Sequence, residues 1–551
     1  MGFGWDLTVF DGHASIGGTK MLLAQGGERL LLDFGTNYKR ESQFFEEYLK
    51  PRSIRGLVDY IALGLLPAWR GLYRRDLFPS ADFPNQDADW AGSGATAVLL
   101  THGHLDHAGG IAFLDPSIPV LASPLTLALL RSWQETGGST LTSEVTYYAE
   151  KSPNAGGTPG ASVAGRTVRT ARGGARRGRS FQLFGELPGG LREALRRSPY
   201  GPKTEFEPLD PTVAGTRRGD LAVAAFTVDH SVYGATAFTI DGDGGRFAYT
   251  GDFRSHGDRG PETERFLREL ESDPPDVLVA EGTRLRSPGD DRPQSVATED
   301  DVERKCREEV ASDPRRLVVA DFGPRNIERL RRFRRIALDT GRQLVVTPKD
   351  AYLLRLLHAA DPTIEVDIGR GGLRIYEKAT GGTEFPWLHT VRAEFADAFV
   401  GPAEIAGTPG RWILCFSYFD CSELVDLRRA TPGGLWLYSS SESHGEEQEF
   451  DFVRLAHWID WAGLRVVGFR LVPDASGVLR PSFDHPEDVG HHASGHATEE
   501  ELLAFVRRAN PRFLVPVHTE QSAERYAALL ERAGATCRVV PPTPGAPVAF
   551  P

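Results

Sequence analysis

The string Thr101-His102-Gly103-His104-Leu105-Asp106-His107, set directly behind the apolar run Ala97-Val98-Leu99-Leu100, constrains this chain more than any other feature. A strand that ends in a sharp loop aims two alternate imidazoles, His102 and His104, at one ion, while Asp106 and His107 turn toward a neighbouring one. Three His and one Asp within six positions would be an odd way to fill a core. Neutral imidazole nitrogens mixed with carboxylate oxygens suit zinc, and a coordination position left to water makes such a site catalytic rather than structural. Mn²⁺ takes the same donors.

One loop cannot complete two coordination shells, so the remaining ligands must come from distant strand ends. His230 ends the strand-like run from Leu221 to Val228, Asp252 follows the run from Arg246 to Thr250, and His518 ends the apolar run from Phe513 to Val517. Loop residues at strand ends gather into a site on a rigid sheet. Taken singly, each of the three reads as a structural histidine or a turn aspartate; beside the first cluster they read as ligands.

The rest of the chain fits a large soluble α/β protein. Its 551 residues, divided by roughly 150, give about three or four domain-sized units, or one large α/β unit with an insertion. Strand-like runs at Asp6 to Phe10, Lys20 to Gln25, Arg29 to Phe34 and Ala97 to Thr101 open the chain as an antiparallel sheet edge, punctuated by Gly17-Gly18 and Gly26-Gly27. Helical periodicity over Pro124 to Ser132, Thr263 to Glu271 and Asn326 to Asp339 interleaves with the strands, which points to layered α/β architecture. Four cysteines, Cys306, Cys415, Cys421 and Cys537, have no CxxC spacing and read as free thiols of a reducing compartment. No basic start followed by an apolar stretch opens the chain, and the span from Leu57 to Leu72 is interrupted by Asp59, Pro67 and Arg70, so a cytoplasmic protein with no membrane partner is expected.

The net charge of −12 argues against indiscriminate coating of nucleic acid but not against a local basic groove. Two basic stretches are candidates. The first, Lys151 to Gly185, carries arginines at 166, 169, 172, 176, 177 and 179 and reads as a mobile loop, with Phe181 and Phe184 as loop anchors or base-stacking rings. The second, Arg325, Arg329, Arg331, Arg332, Arg334 and Arg335, reads mostly as a solvated helix face.

The HxHxDH pattern with His230 and Asp252 resembles the metallo-β-lactamase fold, a four-layer αββα sandwich, and Asp33 in Leu31-Leu-Asp-Phe-Gly35 matches that fold's first motif, an acid beside the metals. The likeness extends to the β-CASP nuclease branch: Glu281 matches its motif A, His496 in His492-Ala-Ser-Gly-His-Ala497 its motif B, and His518 in Val515-Pro-Val-His518 its motif C. Within that branch the chain is most similar to ribonuclease J. The resemblance implies two Zn²⁺, one held by His102, His104 and His230, the other by Asp106, His107 and His518, with Asp252 bridging them. Glu281 would position the site, His496 would contact the scissile phosphate, and Ser494 and Gly495 beside it would bind substrate.

The resemblance also implies a metallo-β-lactamase domain in two parts, 1–284 and 436–551, with an inserted α/β β-CASP domain at 285–435 and nucleic acid entering between the lobes. Two departures stand out. Motif A reads Glu281-Gly282-Thr283 where relatives carry acid-Ser-Thr, and Ser439 to Glu446 replaces a more apolar turn near the pocket that reads a 5′-phosphate. Because the chain stops at Pro551, soon after motif C, a monomer is the expectation. The activity implied is hydrolysis of single-stranded RNA by a metal-activated water, 5′-exonucleolytic, endonucleolytic or both. The alternatives are a DNA nuclease of the same branch and a metallo-hydrolase of a small ester or thioester.

Overall fold

In the computed structural model the described residues are 4–79, 91–138, 140–153, 167–170, 176–198, 200, 216–289, 297–365, 367–369, 372–379, 381, 384–440, 452–474, 476–483 and 485–551. Two seven-stranded sheets stack face to face. The first runs in the order Phe181–Leu183, Val120–Ala122, Ala97–Leu99, Glu28–Phe34, Lys20–Gln25, Trp5–Asp11 and Pro547–Phe550. The opening strand Trp5–Asp11 alternates, burying Trp5, Leu7 and Val9 on one face with period two. It does not form the sheet edge, because Pro547–Phe550 pairs antiparallel outside it. Gly26 and Gly27 make the two-residue hairpin that sets Gln25 opposite Glu28.

The second sheet runs Thr216–Arg218, Leu221–Thr227, Thr236–Gly242, Gly245–Tyr249, Val277–Ala280, Phe513–Pro516 and Arg538–Val539. Leu7, Val9, Leu23, Leu30 and Leu99 from the first sheet interdigitate with Val223, Phe238, Phe247, Val279 and Val515 from the second, and each such burial is worth about 1.5–3 kcal/mol. Helices Gly260–Ser272, Glu499–Ala509 and Ala523–Arg532 cover the outer face of the second sheet through Phe266, Phe505 and Tyr526. Helix Pro124–Thr136 covers the first through Leu127, Leu129 and Leu130. The chain is thus an αββα four-layer sandwich of the metallo-β-lactamase fold.

A third sheet, entirely parallel, is inserted between Val277–Ala280 and Phe513–Pro516. Its order is Phe399–Val400, Leu373–Tyr376, Gln343–Val346, Trp412–Cys415, Val318–Asp321, Leu435–Tyr438 and Arg465–Val467, so its last strands lie at and beyond residue 435. Its strands are apolar on both faces, as a sheet covered by helices on each side requires.

Both basic stretches are solvated only in part: Arg169, Arg176, Arg177 and Arg335 are exposed, while other arginines turn inward. Helix Ile327–Asp339 is capped by Asn326, whose side chain accepts from the Arg329 amide, but Arg329 and Arg332 are buried. Helix Glu299–Ser312 packs against it and presents Glu299, Asp300 and Glu303, so these arginines pair inward. In the other stretch, Arg166 and Arg172 lie outside the described residues. Arg176–Gly178 pairs with Tyr147–Ala149, and buried Arg179 donates to the Leu114 and Ala112 carbonyls at 2.8 and 3.2 Å. Phe181 is buried and Phe184 packs on Phe238 at 5.3 Å, so both are anchors rather than free stacking rings. Of the turn Ser439 to Glu446 only Ser439 and Ser440 are described. The four cysteines are free thiols, three of them buried. Among the described residues no helix is long and apolar enough to cross a membrane.

Candidate metal centre

Loops after strands of both sheets meet along one edge of the sandwich. His102 to His107 follow Ala97–Leu99, with His104 as the N-cap of a single helical turn, Leu105–Ala108. From the second sheet His230 follows Leu221–Thr227, Asp252 follows Gly245–Tyr249, Glu281 follows Val277–Ala280 and His518 follows Phe513–Pro516. The last three strands are mutually parallel in register, so their ends deliver these groups side by side. Gly17, at φ +79°, makes the close approach that lets the amino-terminal loop cover Asp106; a Cβ there would lie 2.9 Å from the Asp106 carboxylate.

All seven expected ligands come together. His102, His104 and His230 form one group of converging donor atoms, and Asp106, His107, Asp252 and His518 form another. His104 Nδ1 is 3.1 Å from His102 Nε2 and 3.3 Å from His230 Nε2. Donors held tetrahedrally at 2.0–2.1 Å from one zinc sit roughly 3.3 Å apart, so the spacing fits a cation. In the second group His107 Nε2 is 2.9 Å and His518 Nε2 3.6 Å from Asp252 Oδ2, while His518 Nε2 is 3.0 Å from Asp106 Oδ2. Among the described residues Asp106 Oδ1, Asp252 Oδ1 and His107 Nε2 are buried without a hydrogen-bond partner. Orphaned buried acceptors are costly, and several at one point fit a missing positive charge.

The outward ring atoms fix which lone pairs face inward. His107 Nδ1 donates to Asp33 Oδ2 at 2.7 Å, and His230 Nδ1 donates to the Gly495 carbonyl at 2.7 Å. Thr101 Oγ1 donates to Asp33 Oδ2, which leaves it to accept from His102 Nδ1 at 3.0 Å. Thr283 Oγ1 donates to the His518 carbonyl and accepts from His518 Nδ1 at 2.8 Å. Each of these four imidazoles therefore turns Nε2 toward the centre, the arrangement by which supporting groups orient metal-binding histidines.

Asp33 is the hub of this support. Its carboxylate also accepts from the Thr101 amide at 2.8 Å and the Tyr249 hydroxyl at 2.6 Å. Asp33 and His518 hold φ near +54° and +50°, and such backbone costs about 1–3 kcal/mol where the surroundings impose it. An Asp33→Asn variant keeps a residue tolerant of that conformation but loses acceptor strength. It is expected to weaken divalent-metal affinity by about 10–100-fold in a chelator competition, with the fold retained.

The charges divide the centre. Burial pushes the His102 and His230 imidazoles well below their ordinary range, and neighbouring imidazoles add to it, so these two rings are neutral. Burial also opposes a charge on His107, but Asp252, Asp106 and Asp33 raise it well above its ordinary range. Burial would raise the Asp252 carboxyl, yet His107 and His518 hold it well below the usual carboxylate range. One group thus offers imidazole nitrogens alone, and the other two imidazoles with two anionic carboxylates.

Glu281 and His496 form the flank. Glu281 accepts from the Phe253 amide at 2.9 Å and from His496 Nδ1 at 2.9 Å, and the His496 ring stacks on His518 at 5.5 Å. Motif A's glycine has a steric reason: a Cβ at Gly282 would lie 2.9 Å from Thr519 and Leu285. Ser494 and Gly495 point their carbonyls inward, to Arg254 Nη1 and His256 Nε2 and to His230 respectively, and Ser494 Oγ accepts from the His496 amide. They hold the His496 loop in place. His13 is half-buried, and His491 is buried with Nδ1 on the Asp488 carbonyl.

Arg254 escaped the sequence reading. Fully buried, it meets Asp229 at 3.3 Å, Glu299 at 3.0 Å and Glu328 at 2.9 Å as well as the Ser494 carbonyl. Glu299 opens helix Glu299–Ser312 and Glu328 the helix Ile327–Asp339, so one guanidinium ties two helices of the inserted lobe to the centre. Tyr249 also escaped, and Thr283 was visible as the last residue of motif A but not as the partner of His518 Nδ1.

Residues 489–541 match a family described as the Zn-dependent metallo-hydrolase RNA specificity domain, a stretch that holds His496 and His518. Ribonuclease J of Mycobacterium tuberculosis is 24% identical over 440 residues, 77% of this chain and 58% of that protein. Ribonuclease J 1 of Streptococcus pyogenes is 50% identical over 54 residues, 9% of each chain. This chain therefore spans little more than half the length of its first curated relatives. A protein of unknown function from Enterococcus faecalis shares the fold, with a TM-score of 0.62, 20% identity, and coverage of 99% of this chain and 100% of that one.

Proposed function

Because the chain is a ribonuclease J-like protein of the β-CASP branch of the metallo-β-lactamase fold, we propose that it is a metal-dependent hydrolase that cleaves phosphodiester bonds of single-stranded RNA. The observation that carries this reading is the meeting of seven donors in two adjoining groups, His102, His104 and His230 in one and Asp106, His107, Asp252 and His518 in the other, in a chain whose residues 489–541 are similar to an RNA specificity domain. Two Zn²⁺ are the proposed occupants, with Mn²⁺ compatible with the same donors. A bound cation pair would lower the pKa of a water toward about 7 and stabilise charge on the attacking and leaving oxygens.

The chain's own residues do the rest. His102, His104 and His230 would hold one cation, Asp106, His107 and His518 the other, and Asp252 would serve both. Glu281 fixes the His496 ring through Nδ1, and the ring so held would stabilise charge on a non-bridging phosphate oxygen. The nine residues are all buried, none above 4% exposure, so substrate must reach them as a thin strand or with the lobes parted; both favour a single strand over a duplex. We place the inserted lobe at 285–467, since its sheet continues through Arg465–Val467.

The test is digestion of one oligonucleotide, made as RNA and as DNA, with 5′-hydroxyl, monophosphate or triphosphate ends and labels at both termini. RNA is expected to be cut, chelator to stop it and Zn²⁺ or Mn²⁺ to restore it, while the ladders read polarity. Zinc-loaded protein that cuts a small thioester but no oligonucleotide would move the reading to the ester-hydrolase alternative.

A further inference from the structure

The inserted parallel sheet holds a crevice that the metal centre does not use. Strand Trp412–Cys415 lies between Val318–Asp321 and Gln343–Val346. After the two flanking strands the chain turns into helices Ile327–Asp339 and Pro348–Ala360, whose Phe333, Ile336, Leu354 and Leu357 join one core. After the middle strand it turns to the opposite layer, where Leu424 and Phe452 join another. Adjacent strands whose connections leave to opposite faces form a topological switch point, and open α/β sheets bind ligands in the crevice outside the carboxyl ends of strands there.

At this point the chain has a cavity of about 610 Å³, inside the usual range for small-molecule sites. The loops after all three strands line it, together with the one after Leu373–Tyr376, and the helix Pro124–Thr136 closes one side with Trp133. Its chemistry is mixed in a specific way. Arg325, Lys349 and Lys378 are its cations. Lys349, in the first turn of helix Pro348–Ala360, is exposed and makes no salt bridge among the described residues, whereas Lys378 pairs with Asp420 and Glu423 at 3.4 and 3.2 Å. Burial and the nearby Asp420 carry the Asp350 carboxyl up to about 7, so it opposes an anion with less than a full charge near neutrality. At the mouth Phe385 and Phe419 are 57% and 59% exposed, and Phe385 stacks on Trp387 with ring planes 15° apart. Exposed rings beside the exposed Lys349 ammonium suit a ligand with a flat aromatic part and a phosphate.

We propose that this crevice is a second ligand site, for a free nucleoside monophosphate, with the base on the Phe385 and Phe419 rings and the phosphate at Lys349 and Arg325. The site is built by the inserted sheet and the helix Pro124–Thr136, so it stands whether or not the metal centre hydrolyses RNA.

The test titrates AMP and UMP into the full-length protein, following tryptophan fluorescence and calorimetry, with EDTA present so that the metal centre is idle. Saturable one-to-one binding is expected. Adenosine and inorganic phosphate alone should each bind at least about tenfold more weakly, since each offers only half of the contacts. Lys349→Glu and Phe419→Ala, both exposed positions, should each weaken AMP by about tenfold or more with an unchanged circular dichroism spectrum. His104→Ala should leave binding as it was. A nuclease-resistant oligonucleotide with the same 5′-terminal nucleotide separates a free nucleotide from a chain end. AMP binding without oligonucleotide competition supports the site, and competition at equal affinity overturns it. No AMP binding at millimolar concentration, or binding lost in His104→Ala and kept in Lys349→Glu, would also overturn it.

Discussion

Asp252→Ala is expected to abolish hydrolysis and to empty at least one cation position while the fold persists. The reason is geometric: Asp252 Oδ2 lies 2.9 Å from His107 Nε2, 3.6 Å from His518 Nε2 and 3.7 Å from His102 Nε2, so a single oxygen faces both donor groups. Asp106, by contrast, groups only with His107, Asp252 and His518 among the described residues. Several kcal/mol of charge stabilisation depend on both cations, and about 1.4 kcal/mol is tenfold in rate, so the loss should be roughly a thousandfold or more. Loss of the buried acid leaves His107 with Asp33 and His518 with Asp106, so no side chain becomes a lone buried charge. The melting temperature of the metal-free protein should therefore change by only a few degrees. Metal content by plasma mass spectrometry and cleavage of a labelled RNA are the two readouts. A variant that keeps two cations per chain and cuts at the parent rate would remove Asp252 from the bridging position.

The ease of reading this centre follows from how local each signal is. His102 to His107 is a six-residue string, and the strand that feeds it is an uninterrupted apolar run, so donor types and direction were both visible. His230, Asp252 and His518 were legible because each ends an apolar run; that their strands lie along one edge was not, since the parallel crossovers span up to hundreds of residues. The charges on helix Ile327–Asp339 misled for the opposite reason. Periodicity shows which face carries Arg329 and Arg332 but not that helix Glu299–Ser312 answers with Glu299 and Glu303. The fold's opening edge was misplaced because its neighbour, Pro547–Phe550, is the last strand in the chain. Arg254 carried no signal at all: its partners at 229, 299 and 328 declare themselves only once the two lobes meet.

That residue gives the second large effect. Arg254→Met removes a guanidinium shared by Asp229, Glu299 and Glu328, each no more than 1% exposed. Breaking a buried ion pair from one side costs about 3–5 kcal/mol, because it leaves charge without compensation. Glu299 keeps Arg329 at 2.8 Å, and Glu328 keeps the Asp258 amide at 2.8 Å, which favours the lower part of that range. In the parent, burial would raise the Glu299 carboxyl, but Arg329 and Arg254 hold it down at about 2. A depressed carboxyl contributes stability above its unfolded pKa, about 4.3, and loses it as pH falls through the folded value. The Glu299 share of the gap between parent and variant in urea denaturation should therefore be full near pH 7 and close as pH drops below about 4, whereas burial raises the Glu328 carboxyl to about 8 and its share enters only above that. The Ser494 carbonyl also loses its 2.9 Å donor, so the loop carrying His496 loosens and kcat should fall further than metal affinity does. Adding Glu328→Gln to Arg254→Met should recover part of the stability, with a coupling of about 0.5–3 kcal/mol. A gap below 1 kcal/mol that stays constant with pH would mean that Arg254 is only a space-filling side chain at the junction of the lobes.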